Sequence, residues 1–162
     1  MDKQPLYIRD TTGKIISIPH TISNESYEVA PKGTLYTSYF AKLKQGKGIK
    51  FSVARYNPKW LKEGDIDGWL PHLSPSESLL KSYKNNLITW DEYTKEYFNR
   101  LFSRADLGNC LMVRKEIDAI KNVLDIGKDI TLYCYEKPTD NCHRHLLGGV
   151  FKEIGYEVKE IE

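Results

Sequence analysis

The run Asp129-Ile130-Thr131-Leu132-Tyr133-Cys134-Tyr135 constrains the fold more than any other segment. It is a short, β-rich and largely apolar stretch, and it is the clearest strand in the chain. What surrounds it decides the kind of sheet. Asn109–Asp125 before it reads as an amphipathic helix, closed by Gly127 at its C-terminal cap. Asn141–Ile154 after it reads as another helix, ending at Gly155. Tyr156–Ile161 then alternates like a terminal strand, and Thr34–Thr37 and Ile49–Ala54 add two strands upstream. Strands separated by helices predict an α/β fold with a mostly parallel central sheet, covered on both sides and joined by right-handed connections.

Local signals fill in the rest. Tyr39–Gln45 reads as a short helix stopped by Gly46, and Arg55–Leu73 as a long loop. Ser74-Pro75-Ser76-Glu77 has the form of a capping box with Pro at the first helical position, starting a helix to about Lys84. Thr89-Trp90-Asp91-Glu92 is a second capping box. The helix behind it carries Trp90, Tyr93, Tyr97, Phe98 and Leu101 as one stripe, which is read as core. Residues 1–33 differ from the rest. Leu6-Tyr7-Ile8 and Ile15-Ile16-Ser17-Ile18 flank a Gly-containing turn at Asp10–Lys14, which predicts an N-terminal β-hairpin appendage over 1–33 to an α/β domain over 34–162.

Charge and cysteine content narrow the function classes. Lys plus Arg total 24 against 22 Asp plus Glu, a net charge of +2, so no extended nucleic-acid partner is expected. No apolar run is long enough for a transmembrane helix, and Met1-Asp2-Lys3-Gln4-Pro5 has no signal-peptide character, so no membrane partner is expected. Three cysteines in a chain of this size suggest reduced thiols and a cytoplasmic location.

Chemistry concentrates between Glu136 and Arg144. A strand end followed by a helix start is where α/β sheets bind ligands. The free N–H groups of such a helix favour an anion, which Arg144 would also hold. Cys142 at that helix start, beside His143 and Arg144, should carry a stabilised thiolate and can serve as a nucleophile; packing is the alternative role of a free cysteine. Cys134, Cys142, His143 and His145 could offer metal ligands. They show no CxxC or HxxxH spacing, and adjacent helical side chains diverge, so no metal and no cofactor is expected. Cys110 reads as core, and His20 and His72 as surface or structural residues. Gly46-Lys47-Gly48 is not a phosphate-binding fingerprint.

Thr37-Ser38-Tyr39-Phe40-Ala41-Lys42, Ser52–Pro58, Ile88–Tyr93 and Leu132–Lys137 with Cys142-His143-Arg144-His145-Leu146 together resemble the domain of unknown function 488 (DUF488) family, over about residues 34–155. The resemblance implies a three-layer α/β sandwich and brings no settled activity. It implies that Ser38, Arg55, Glu136, Cys142, His143 and Arg144 lie where one pocket can gather them, and it leaves Cys134 outside that set. Ala54 stands where many relatives carry Asp before the arginine.

The expected function is binding of a nucleotide-like or phosphorylated small molecule at the carboxyl edge of the strands. Cys142 and Glu136 are the candidate catalytic residues for its cleavage or transfer. Ser38, Arg55, Tyr56, His143 and Arg144 are the candidate ligand-binding residues, with Arg55 and Arg144 meeting around one anion. Two alternatives stand beside it: a non-catalytic protein that sequesters a nucleotide-like ligand, as a phage counter-defence binder would, and a metal-binding regulatory domain. A homo-oligomer is a further expectation, and the N-terminal hairpin is expected either to mediate self-association or to lid the pocket.

Overall fold

The structure is a computed structural model that describes residues 7–9, 12, 15–17 and 30–162. Tyr7–Arg9 (β1) pairs antiparallel with Ile15–Ser17 (β2), as the hairpin reading requires. The turn between them and His20 lie for the most part outside the described residues.

The sheet that organises the domain has five strands in the order β5-β4-β6-β3-β7, all parallel. They are Leu35–Tyr39 (β3), Ile49–Ser52 (β4), Gly68–Trp69 (β5), Ile130–Cys134 (β6) and Val158–Glu160 (β7). The strand at the centre, β6, is buried along its whole length, as a strand with neighbours on both edges must be. Two-residue β5 sits inside the segment read as loop. It is recruited to the edge by β4, with Trp69 Nε1 donating to the Ala54 carbonyl at 2.8 Å.

Among the described residues there are four α-helices: α1 (Glu77–Lys84), α2 (Trp90–Phe102), α3 (Leu107–Asp125) and α4 (His143–Glu153). Their starts are set by side chains. Ser76, not Ser74, caps α1 by accepting from the Leu79 N–H, so Pro75 lies ahead of the helix rather than in it. Thr89 and Glu92 form the expected reciprocal box on α2. Asp106 caps α3 through the Asn109 N–H, so the helix starts at Leu107, two residues before the predicted start. The Tyr39–Gln45 segment forms a 3-10 helix over Phe40–Gln45 instead of an α-helix.

Parity decides which side chain faces which layer. Leu132 and Cys134 point to the α-helical side, where Gly148 of α4 lies against Thr37 and Val158. Tyr133 points the other way, into the layer formed by the 3-10 helix, and its hydroxyl donates to the Leu43 carbonyl at 3.0 Å. Tyr93, Tyr97 and Leu101 of the α2 stripe are buried core as expected, while Trp90 and Phe98 are half-buried. His72 holds a structural place, 2.8 Å from Glu116 of α3. Among the described residues, no helix is long and apolar enough to cross a membrane.

Candidate functional site

Beyond the carboxyl ends of β4 and β6 lies a cavity of about 670 Å³, within the usual range for small-molecule sites. Four separate stretches build it. Arg55 and Tyr56 come from the turn after β4, Leu80, Tyr83 and Lys84 from α1, Trp90 and Tyr93 from α2, and Cys134–Glu136 with Thr139–His143 from the β6–α4 connection. The aromatic wall is continuous: the Trp90 and Tyr93 rings stack with centroids 4.8 Å apart, and Tyr83 stands 5.2 Å from Tyr93. Two hydrogen bonds tie the chemistry-bearing loop to opposite walls. Asn141 Nδ2 donates to the Tyr83 hydroxyl at 3.0 Å, and the Tyr135 hydroxyl donates to the Tyr56 carbonyl at 2.7 Å.

The cavity floor holds two sulfurs, an imidazole and a carboxylate. Cys142 is the N-cap of α4 with extended backbone (φ −147°, ψ 142°), and His143 is the first helical residue. Both Cys134 and Cys142 donate to Glu136 Oε2, at 3.3 and 3.1 Å. His143 Nδ1 lies 3.9 Å from Cys134 Sγ and 3.8 Å from Cys142 Sγ. Its other nitrogen, Nε2, is 2.7 Å from the Val53 carbonyl. A carbonyl only accepts, so Nε2 carries a hydrogen and Nδ1 is the ring nitrogen that faces the two sulfurs.

The electrostatics of this floor separate its members. Burial alone would raise the Cys142 thiol, but the hydrogen bond from Cys134 and the charges of His143 and Arg144 bring it well below the ordinary thiol range. Cys134 is pushed well up by its hydrogen bond with Cys142 and by burial. Burial, then the negative Cys142, raise the Glu136 carboxyl. Burial would lower His143, yet the Cys142 sulfur beside it leaves it raised. The arrangement favours the charged form at Cys142 and the protonated form at Cys134, Glu136 and His143.

Of the residues singled out above, Arg55, Tyr56, Glu136, Cys142 and His143 line this cavity. Two others do not. Ser38 pairs in register with Tyr133, one position before Cys134, so its fully buried side chain shares Tyr133's face and turns from the cavity. Arg144 is also fully buried; its guanidinium donates to the Glu136 carbonyl oxygen and to Glu160 Oε1 at 2.7 Å. Those bonds commit it to the β7 side of α4. The anion site shared by Arg55 and Arg144 therefore does not form.

Two things were missed from spacing. Cys134 belongs to the floor, because the parity of β6 carries it there. Cys134 Sγ, Cys142 Sγ and His143 Nδ1 lie within 4.8 Å of one another, a set capable of holding a metal ion. The divergence expected of adjacent helical side chains fails here because Cys142 is outside the helix. Arg55 supplies the cation that Arg144 does not: its guanidinium lies 5.4 Å from the Tyr56 ring, Nη1 donates to the Pro75 carbonyl, and Nε is buried with no hydrogen-bond partner.

Residues 34–155 match the model of family DUF488-N3a, described as the active DUF488-N3 subclade. No curated protein and no solved structure matches the chain.

Proposed function

Because the chain belongs to the DUF488 family, in a subclade described as active, we propose that it is an enzyme that cleaves, or transfers a group from, a nucleotide-like or phosphorylated small molecule bound in this cavity. One observation carries the reading: Cys142 Sγ has His143 Nδ1 and Glu136 Oε2 within 3.8 Å, on the floor of an aromatic-walled cavity. Flat rings such as a nucleobase suit the wall of Tyr83, Trp90 and Tyr93. An anionic group suits Arg55, whose Nε has a donor to spare, with Lys84 adding charge at the rim.

In this reading the Cys142 proton passes to His143 Nδ1. The sulfur then bonds to the electrophilic carbon or phosphorus of the ligand as the bond to the leaving group breaks. Glu136, which holds its proton to higher pH than an ordinary carboxyl, protonates the leaving group, and water releases the enzyme-bound half. The Val53 carbonyl keeps the imidazole in the tautomer this needs.

The test is a panel of nucleotides and sugar phosphates, followed for both product and binding. Wild type should turn over at least one member, and Cys142→Ser should abolish turnover while leaving affinity nearly unchanged. A second reading, a binder that only sequesters such a ligand, is favoured by Ala54, which puts no carboxylate beside Arg55. Tight binding without product from wild type would establish it in place of the enzyme.

A further inference from the structure

Cys134 has no part in the reaction just described, yet it is buried on the cavity floor, 3% exposed, with its sulfur turned toward the nucleophile. A second thiol beside Cys142 and a histidine Nδ1 aimed at both have a coordination meaning. Zinc takes thiolate sulfur and neutral imidazole nitrogen as its preferred protein donors. Histidines that bind it nearly always fix their other N–H to a carbonyl or carboxylate, which sets the tautomer and aims the ring. His143 is held in this way, Nε2 on the Val53 carbonyl and Nδ1 facing the sulfurs. The three donor atoms come from three differently constrained places: the last residue of β6, the N-cap of α4 and the first turn of α4. They nonetheless fall within 4.8 Å of one another, and the sulfur–nitrogen separations of 3.9 and 3.8 Å come near the edge of about 3.5 Å that zinc's bond lengths set for a tetrahedron.

We propose that Cys134, Cys142 and His143 form a zinc-binding site that caps the nucleophile, so that a zinc-loaded chain is chemically silent at Cys142. The inference rests on the reading of Cys142 as the reacting sulfur. Coordination ties up the same sulfur lone pair that would attack the ligand, and it occupies the Nδ1 that would take the proton. Three protein donors leave a fourth position on the cavity side, beside Glu136, which lies against both sulfurs. Binding releases two protons, one from the Cys134 thiol and one that Cys142 and His143 share, and consumes no oxidant or reductant.

The freshly reduced full chain is titrated with zinc against a chromogenic chelator, and its cysteines are then alkylated with iodoacetamide and quantified by peptide mass. The expected result is one zinc retained per chain, with alkylation of Cys142 slowed at least about tenfold and that of Cys110 unchanged. Cys134→Ser should weaken zinc retention more than about tenfold, while Cys110→Ser, which lies on α3 outside the cluster, should leave it intact. Cobalt(II) in place of zinc should give wild type the absorption of a tetrahedral two-thiolate site, a readout that needs no variant. No retained zinc, or a zinc-loaded chain whose Cys142 alkylates at the metal-free rate, overturns the proposal. None of these readouts uses a substrate, so they fail independently of whether the metal-free protein turns anything over.

Discussion

Arg144 shows how far a single residue's role can depend on which way its helix is turned. In sequence it completes Cys142-His143-Arg144 and looks like an anion ligand. In the fold it is a fully buried clamp that joins the loop carbonyl of Glu136 to Glu160 of β7. Breaking a buried pair leaves its partner uncompensated, so Arg144→Met should cost about 3 kcal/mol in chemical denaturation, the low end of the range because Glu160 is partly exposed. Glu160 adds a pH signature. Burial would raise its carboxyl, but His145, Arg144 and Thr37 hold it below the ordinary carboxylate range. A carboxyl depressed in the folded state stabilises above its unfolded pKa, and that contribution disappears as the pH falls through the folded value. Wild type should therefore lose stability progressively below about pH 5, and Glu160→Gln should lose less over the same range. Equal acid sensitivity of the two proteins would show that this carboxylate is not a stabilising partner.

At the scale of elements, much of the architecture was legible and the errors share a cause. The alternation around Ile130–Cys134 specified a parallel α/β sheet because hydrophobic periodicity is a local property. The Thr89–Glu92 box marked its helix start correctly for the same reason. Two-residue β5 was invisible because its pairing with β4 is decided by a distant edge rather than by its own residues. Phe40–Gln45 became a 3-10 helix, with non-helical backbone at Lys42, in the short link between β3 and β4. Gly48 completes that link. It adopts φ +66°, and a Cβ there would sit 1.9 Å from the Asp129 carbonyl oxygen beside the start of β6. Gly48→Ala should thus destabilise by about 2 kcal/mol or more, through both the left-handed backbone and the clash. A melting temperature equal to that of wild type would mean that β4 can re-pair with β6 without this close approach.

Across the whole molecule, the candidate site is an assembly that no single stretch contains. Arg55 and Tyr56, the α1–α2 aromatic wall, and the Cys134–His143 loop meet only when β4 and β6 lie side by side in register. That is why Glu136, Cys142 and His143 were legible as a motif while Cys134 and the lining roles of Tyr83, Trp90 and Tyr93 were not. Strand parity and helix packing place those residues, and neither has a local signature. It is also why the lowering of the Cys142 thiol is a property of the fold: the partners that cause it, Cys134 and His143, are brought to it by tertiary structure. The central claim is then tested most directly by site-resolved alkylation of metal-free protein with iodoacetamide near neutral pH, folded and in denaturant. The account predicts that Cys142 reacts faster than Cys110 and Cys134 in the folded chain, and that this advantage vanishes on unfolding. A folded chain in which Cys142 reacts no faster than Cys110 would contradict it.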